Sequence, residues 1–187
     1  QRTLLSLDPP DHTRLRKLVQ PSFTARAMEA LKPRIRQIAE ELLDAAEREA
    51  AARGESAPNR TMDLVPAFAY PLPVTVISEM VGIPVEDRTQ VRYWTENLLR
   101  VDRGDREAMA ETRARIGEFI EYLKALFERR RHDPVDDLVS QLVQAEEDGD
   151  KLDEDELLAM VFIVYIAGFV TTVNLIGNGT VALLTHP

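Results

Sequence analysis

Apolar residues recur three and four positions apart along most of the chain, and this pattern predicts about seven helices and no convincing strand. One amphipathic helix is expected to open at Pro33 and to stop near Gly54. A shorter one is expected to run from about Pro73 to Val81, with Gly82 ending it. A loop near residues 102–105 precedes a long helix, whose buried face is predicted at Ile116, Phe119, Ile120, Leu123 and Phe127. The pattern therefore predicts an all-α fold.

Prolines mark two further helix starts. Asp8-Pro9-Pro10-Asp11 is typical of a turn that feeds a helix, because proline tolerates the first helical turn. Asp133-Pro134 is expected to start a short helix before the acidic turn at residues 146–151.

The most unusual stretch runs from Leu157 to Pro187 and contains no Asp, Glu, Lys or Arg, although 29% of the chain is charged. Asp153 and Glu156 precede it three positions apart, a spacing that predicts a capping box at the start of a long helix. The stretch has three interpretations: a transmembrane span, a helix buried in a globular protein, or a buried helix whose centre also faces a ligand.

Small and polar residues in the middle of this stretch help to separate the interpretations. Thr171, Asn174 and Asn178 interrupt the apolar run, and no Lys or Arg flanks it, so the pattern argues against a membrane span. Ala167-Gly168 would let a ligand approach the backbone closely. The Thr171 hydroxyl can bond to the carbonyl of Ala167, four residues earlier. Burial and a functional role are therefore compatible.

Composition narrows the classes of function. A chain of 187 residues with 44% apolar content predicts one domain over 1–187 with a real core. The lack of cysteine excludes disulfides, thiolate metal sites and cysteine nucleophiles within these residues. The net charge of −9 argues against nucleic-acid binding. No signal peptide is visible, and the expected location is the cytoplasm.

The charge is unevenly distributed along the chain. Residues 1–36 hold eight basic and three acidic residues, a net charge of +5, which leaves −14 for the remainder. This segment is either a solvated helix face or a docking patch for an acidic partner or an anionic ligand.

Few catalytic motifs are present. His12, His132 and His186 lie far apart without a metal-ligand spacing, so no protein-only metal site is predicted. A nucleophile elbow, a P-loop and a dinucleotide-binding fingerprint are also missing from the sequence. The remaining candidates are His12 with Arg16, which share a helix face, and the window from Ala167 to Thr172.

Three motifs together resemble one family. DPPDHTRLRKLVQPSFTARAMEAL, FAYPLPVTVISEMVGIP and AGFVTTVNLIGNGTVALLTHP, in this order and at this separation, resemble bacterial cytochrome P450 haem-thiolate monooxygenases. The resemblance covers the chain from the family's C helix to its I helix. It implies the helical part of that fold, built around a long central I helix, without the N-terminal sheet and the C-terminal haem-Cys region.

The resemblance also implies site residues. His12 and Arg16 match the HxxxR motif whose side chains hold the haem propionates, and Ala167 and Gly168 match the groove for dioxygen over haem b. Thr171 matches the oxygen-activating threonine. By the same resemblance, Ile163 and Ile166 would line the substrate pocket.

Two departures from the family pattern stand out. The family usually has Asp or Glu directly before the threonine, where this chain has Val170. The resemblance therefore implies slower or uncoupled oxygen activation, unless water or a substrate hydroxyl replaces the carboxylate as proton relay. The axial Cys and the buried ExxR motif are also missing, and Glu128 to Arg131 matches ExxR only by coincidence, in a surface charge run.

The implied function is that of an intact oxidoreductase of about twice this size. It would use haem, dioxygen and electrons from an acidic ferredoxin to hydroxylate or epoxidise a small apolar substrate, expected to be a secondary metabolite. Neither a nucleic acid nor a membrane is an expected partner, and the 187 residues alone are expected to be inactive. A haem-free helical binding or interaction module derived from the same fold is the alternative.

Overall fold

The computed structural model describes residues 4–96, 106–147 and 150–186, which form seven α-helices and one short antiparallel ribbon. The all-α prediction is confirmed. The helices are α1 Asp11–Val19, α2 Ala25–Ala52, α3 Pro71–Val81, α4 Arg88–Glu96, α5 Arg106–His132, α6 Leu138–Gln144 and α7 Glu154–Thr185. Single turns of 3-10 helix lie at Leu4–Ser6, Gln20–Phe23, Ala57–Asn59 and Val85–Asp87, and a π-helical turn lies at Val65–Ala69.

The chain forms two compact units. One comprises Gln1–Ala25 with Ser78–Ile166, and the other comprises Arg26–Ile77 with Ala167–Pro187. Helices α3 and α7 contribute residues to both units. The prediction of one partial domain over 1–187 stays a prediction.

The core of the first unit is built on α5, α6 and the first half of α7. Phe119, Leu123 and Phe127 of α5 are fully buried, as their helical spacing predicted. Tyr165 of α7 packs against the Phe119 ring with a centroid separation of 5.3 Å, and its hydroxyl lies 3.2 Å from the Ser78 hydroxyl. A large aromatic side chain is therefore buried together with a partner for its polar atom.

A buried ion pair fixes the end of α3 and the start of α6. The Arg130 guanidinium donates to Asp137 over 2.6 Å and to the carbonyl of Gly82 over 2.9 Å. Asp137 also caps α6, because its other oxygen accepts from the Ser140 amide over 2.7 Å. Gly82 has a φ of +94°, and a Cβ there would lie 1.9 Å from the Asp137 carboxylate. Glycine at the end of α3 was predicted, and both the backbone and the packing require it.

The core of the second unit contains one stripe from the second half of α7. Phe169 and Val173 are buried, and the Phe169 ring meets the edge of Tyr70 at 6.1 Å with an interplanar angle of 78°. Buried side chains from α2, the π-helical turn and α3 complete this core, namely Ile38, Ala46, Ala50, Ala69, Val74 and Ile77.

Two predicted helix starts are wrong. Helix α2 begins at Ala25, and Pro33 lies inside it. The preceding residues are mostly good helix formers, so one missing backbone hydrogen bond does not interrupt the helix. Helix α6 begins at Leu138 instead of near Asp133, because Asp137 supplies the cap.

The acidic turn before α7 is a short ribbon, which the sequence analysis did not predict. Strands β1 (Glu146–Glu147) and β2 (Asp150–Lys151) pair antiparallel, with Glu146 opposite Lys151 and Glu147 opposite Asp150. Two-residue strands are too short to show an alternating pattern. The predicted loop at 102–105 lies outside the described residues.

One described helix, α7, is long and apolar enough to cross a membrane, with a mean hydropathy of 2.1 over its most apolar window. The core helix of a soluble protein passes the same test, and 33% of that window is buried inside the protein. Length and composition are therefore weak evidence for a membrane span.

Candidate functional site

Helix α1 carries the first pair of candidate residues. It begins at Asp11, where the His12 amide donates to the Asp8 carbonyl over 3.1 Å, so the predicted turn does feed a helix. Leu15, Leu18 and Val19 are its buried stripe.

His12 and Arg16 lie four residues apart on one flank of that stripe, His12 half-buried and Arg16 exposed. Neither the imidazole nor the guanidinium has a hydrogen-bond or ion-pair partner among the described residues. Two neighbouring donors are thus available to an anionic group, with which they would form charge-assisted hydrogen bonds.

Arg14 projects from the opposite flank of α1, because it is two residues from both His12 and Arg16. Its guanidinium contacts the carboxylate of Glu156 at the start of α7 and that of Asp150 in β2, the latter over 3.3 Å. The hydrogen bond to Glu156 raises the pKa of Arg14 above its ordinary value, with burial opposing the effect.

The first turn of α7 has the predicted capping box. Asp153 accepts a hydrogen bond from the Glu156 amide over 2.8 Å, and Glu156 accepts one from the Asp153 amide over 3.1 Å. Since Glu156 also contacts Arg14, its side chain connects the helix start to α1.

The middle of α7 carries the second group of candidates. The Thr171 hydroxyl donates to the Ala167 carbonyl over 2.7 Å, as its spacing predicted, and both residues are exposed. Asn174 and Asn178 are exposed as well. The small and polar residues of the apolar stretch thus form one open face of the helix.

Gly168 turns away from this face and packs on α3. A Cβ at Gly168 would lie 2.8 Å from the Cδ1 of Ile77 and 3.1 Å from its Cγ1, closer than ordinary van der Waals contact. The lack of a side chain at Gly168 therefore lets α7 pack closely on α3 within the second unit. The role of Gly168 at a haem stays a prediction.

Ile163, Ile166 and Val170 are half-buried. Helical spacing places Ile163 and Val170 away from the buried stripe of α7, which contains Val161, Tyr165, Phe169 and Val173. Ile166, about 100° from Tyr165, lies at the edge of that stripe. All three side chains are apolar, and the predicted contact of Ile163 and Ile166 with substrate stays a prediction.

The charged end of α5, which contains Glu128, Arg131 and His132, lies on the surface. Among the residues that the structure describes, no group of three or more His, Cys, Asp or Glu is arranged to hold a metal ion. Glu128 and Arg131 form an ion pair with exposed side chains, 60% and 36% accessible, as expected for a surface charge run. His132 is exposed at the end of α5.

Comparison with known proteins identifies the family. The family model described as "Cytochrome P450" matches residues 1–187. The chain therefore belongs to the cytochrome P450 family, a family of haem-dependent monooxygenases. The predicted resemblance is confirmed.

Several relatives are similar over nearly the whole chain. The polyketide biosynthesis cytochrome P450 PksS of Bacillus subtilis is 48% identical over 98% of the chain, and PikC, a monooxygenase of Streptomyces venezuelae, is 43% identical over 98%. The solved structure of PksS has a TM-score of 0.87 at 47% identity over 98% of the chain and 44% of PksS. A MycG mutant solved with mycinamicin IV has a TM-score of 0.85 at 38% identity over 100% of the chain and 44% of MycG.

The chain spans about 42% of the length of PksS and 41% of PikC. The match thus corresponds to an internal portion of the family fold, as the resemblance implied.

The residues present fit a haem in part. His12 and Arg16 offer unpartnered donors suited to its carboxylates. The open face of α7 offers small residues and a hydroxyl. The chain holds no cysteine, so none of its side chains can supply a thiolate ligand.

The ion pair of Arg14 was not predicted from the sequence, because no local pattern pairs this residue with an acid on α7.

Proposed function

We propose that the chain is the C-helix-to-I-helix portion of a haem-thiolate monooxygenase that hydroxylates or epoxidises a small apolar substrate. The observation that supports this most directly is the open face of α7, where the Thr171 hydroxyl donates to the carbonyl of the small residue Ala167. When bound through a cysteine outside these 187 residues, haem would supply the iron that activates dioxygen.

Each candidate side chain has a role that its chemistry allows. His12 and Arg16 would bind the two haem carboxylates through charge-assisted hydrogen bonds. Thr171 would hold a proton at its Oγ1, and Ala167 would leave space above the cofactor. Ile163 and Ile166 would exclude water and bind apolar substrate atoms.

The substrate class and the partners are part of the proposal. The name of the relative PksS refers to polyketide biosynthesis, which supports a secondary metabolite as substrate. The positively charged N-terminal segment supports an acidic ferredoxin as the electron donor. We infer a cytoplasmic location for the intact protein, without a membrane or nucleic-acid partner.

The test is the carbon monoxide difference spectrum of the reduced full-length protein. A Soret band at the red-shifted position typical of thiolate ligation is the expected result. The 187-residue chain, expressed alone, should lack this band, because it has no cysteine. A full-length protein that shows no thiolate-type band would refute the proposal and favour a haem-free helical module.

Val170→Glu tests the missing proton relay in the full-length protein. A carboxylate directly before Thr171 would relay protons from solvent, so we expect more product per reductant consumed, with a gain of up to about 10²-fold in the proton-transfer step. Val170→Gln is the matched control, since it adds the same bulk without an acid. Equal coupling in the two variants would contradict the prediction.

A further inference from the structure

Arg14 is a charged residue of α1 that the proposed chemistry does not use. It lies between His12 and Arg16 in sequence, yet on the opposite flank of the helix. Its side chain is 33% exposed and contacts two carboxylates, those of Glu156 and Asp150, whose side chains are 23% and 45% exposed. An arginine fork that engages two acids fixes both the distance and the rotation of the helix that carries it.

The two acids belong to elements that are themselves fixed. Glu156 is held by the capping box at the first turn of α7, and Asp150 is held in the β1–β2 ribbon. Three more acids, Asp153, Glu154 and Asp155, lie at the same helix start. Without the guanidinium, this acidic group would lose its contact with α1, and the carboxylates would repel one another more strongly.

We propose that Arg14 is a positioning residue: it fixes α1 to the start of α7 and so orients His12 and Arg16 toward the haem carboxylates. The inference rests on the function proposed above. Arg14 would not contact the cofactor. It would control only the rotation of α1, the helix that carries His12 and Arg16.

The experiment compares Arg14→Met with Arg88→Met in the full-length haem-loaded protein. Arg88 forms a similar part-buried ion pair, with Glu79 at 3.0 Å and side-chain exposures of 22% and 23%, but it is on α4. The readouts are the rate of haem transfer to excess apomyoglobin and the melting temperature of the haem-free protein. Both variants should lower the melting temperature to a similar extent.

Only Arg14→Met should accelerate haem loss, by about tenfold, in line with the low end of the cost of removing a residue that orients the ligands of a bound metal. Arg14→Lys keeps the charge and reaches one carboxylate, so it should restore most of the retention. If Arg14→Met does not fold, Arg14→Lys alone should still lose haem faster than the wild type and Arg88→Met.

Two outcomes overturn the inference separately from the proposed function. If Arg14→Met and Arg88→Met both accelerate haem loss in proportion to the decrease in their melting temperatures, Arg14 has only a structural role, although the protein is a haem protein. Unchanged haem loss in both Arg14 variants has the same meaning. If the wild-type full-length protein binds no haem, the proposed function fails, and this inference fails with it.

Discussion

The first and second halves of the uncharged part of α7 differ in their surroundings. From Leu157 to Val161 five consecutive residues are buried, so this segment of the first half is enclosed on all sides. In the second half Phe169 and Val173 are buried, whereas Leu175 is 72% and Leu184 is 77% exposed. An apolar run thus predicts a helix, but it does not distinguish a core segment from an exposed one.

The largest expected effect comes from comparing one substitution in the two halves. Leu157→Ala should lower the free energy of unfolding of the 187-residue chain by about 2–5 kcal/mol, because it leaves a cavity in the core. Leu184→Ala removes the same atoms from an exposed position and should change it by less than about 0.5 kcal/mol. Urea denaturation followed by circular dichroism measures both. Equal costs would mean that the two halves do not differ.

The same pair sharpens the comparison in the full-length protein. If additional chain covers the last turn of α7, Leu184→Ala should become costly there while the cost of Leu157→Ala stays the same. A near-zero cost for Leu184→Ala in both proteins would mean that this position is exposed in each.

A smaller effect is expected at the glycines of the second half. Gly168→Val should destabilise the chain by about 1–3 kcal/mol, since its side chain would overlap Ile77. Gly177→Ala is the control, because its Cβ would meet nothing within 4 Å, and it should stabilise the helix by about 0.5–1 kcal/mol. Ile77→Ala should reduce the cost of Gly168→Val in a double-mutant cycle, and additive costs would contradict the proposed packing.

The smallest stability effect is expected on the open face. Thr171→Ala should change the free energy of unfolding by less than about 0.5 kcal/mol, because Thr171 is exposed and bonds only to its own helix. In the full-length protein the same change should sharply lower product formed per reductant consumed. Thr180→Ala removes a similar hydroxyl, bonded to Ile176 over 2.8 Å, and should leave this ratio unchanged. Equal losses in the two variants would refute a special role for Thr171.

Local signals predicted much of the fold. The spacing on α5, the glycine after α3 and the capping box of α7 all act over a few residues, and the structure has all three. The helix start predicted at Pro33 is wrong, because the helix-forming residues on both sides outweigh the hydrogen bond that the proline removes. The β1–β2 ribbon was missed, although Asp148-Gly149 between the strands is a recognised hairpin signal.

Long-range contacts were outside the reach of sequence patterns. The pairing of Arg14 with Glu156 and the packing of Gly168 on Ile77 join residues far apart in the chain. Resemblance to the family supplied the candidate site residues, and the structure adds which sides of α1 and α7 they occupy. Their roles at a cofactor remain predictions for the experiments above.

Both carboxylate oxygens of Glu156 accept a hydrogen bond, one from the Asp153 amide and one from the Arg14 guanidinium. The group that closes the first turn of α7 is therefore also the group that retains α1. In native-state hydrogen exchange, the amide protons of α1 and those at the start of α7 should exchange through a single opening event with a common free energy. Fraying of the long helix at this end would release the short helix with it.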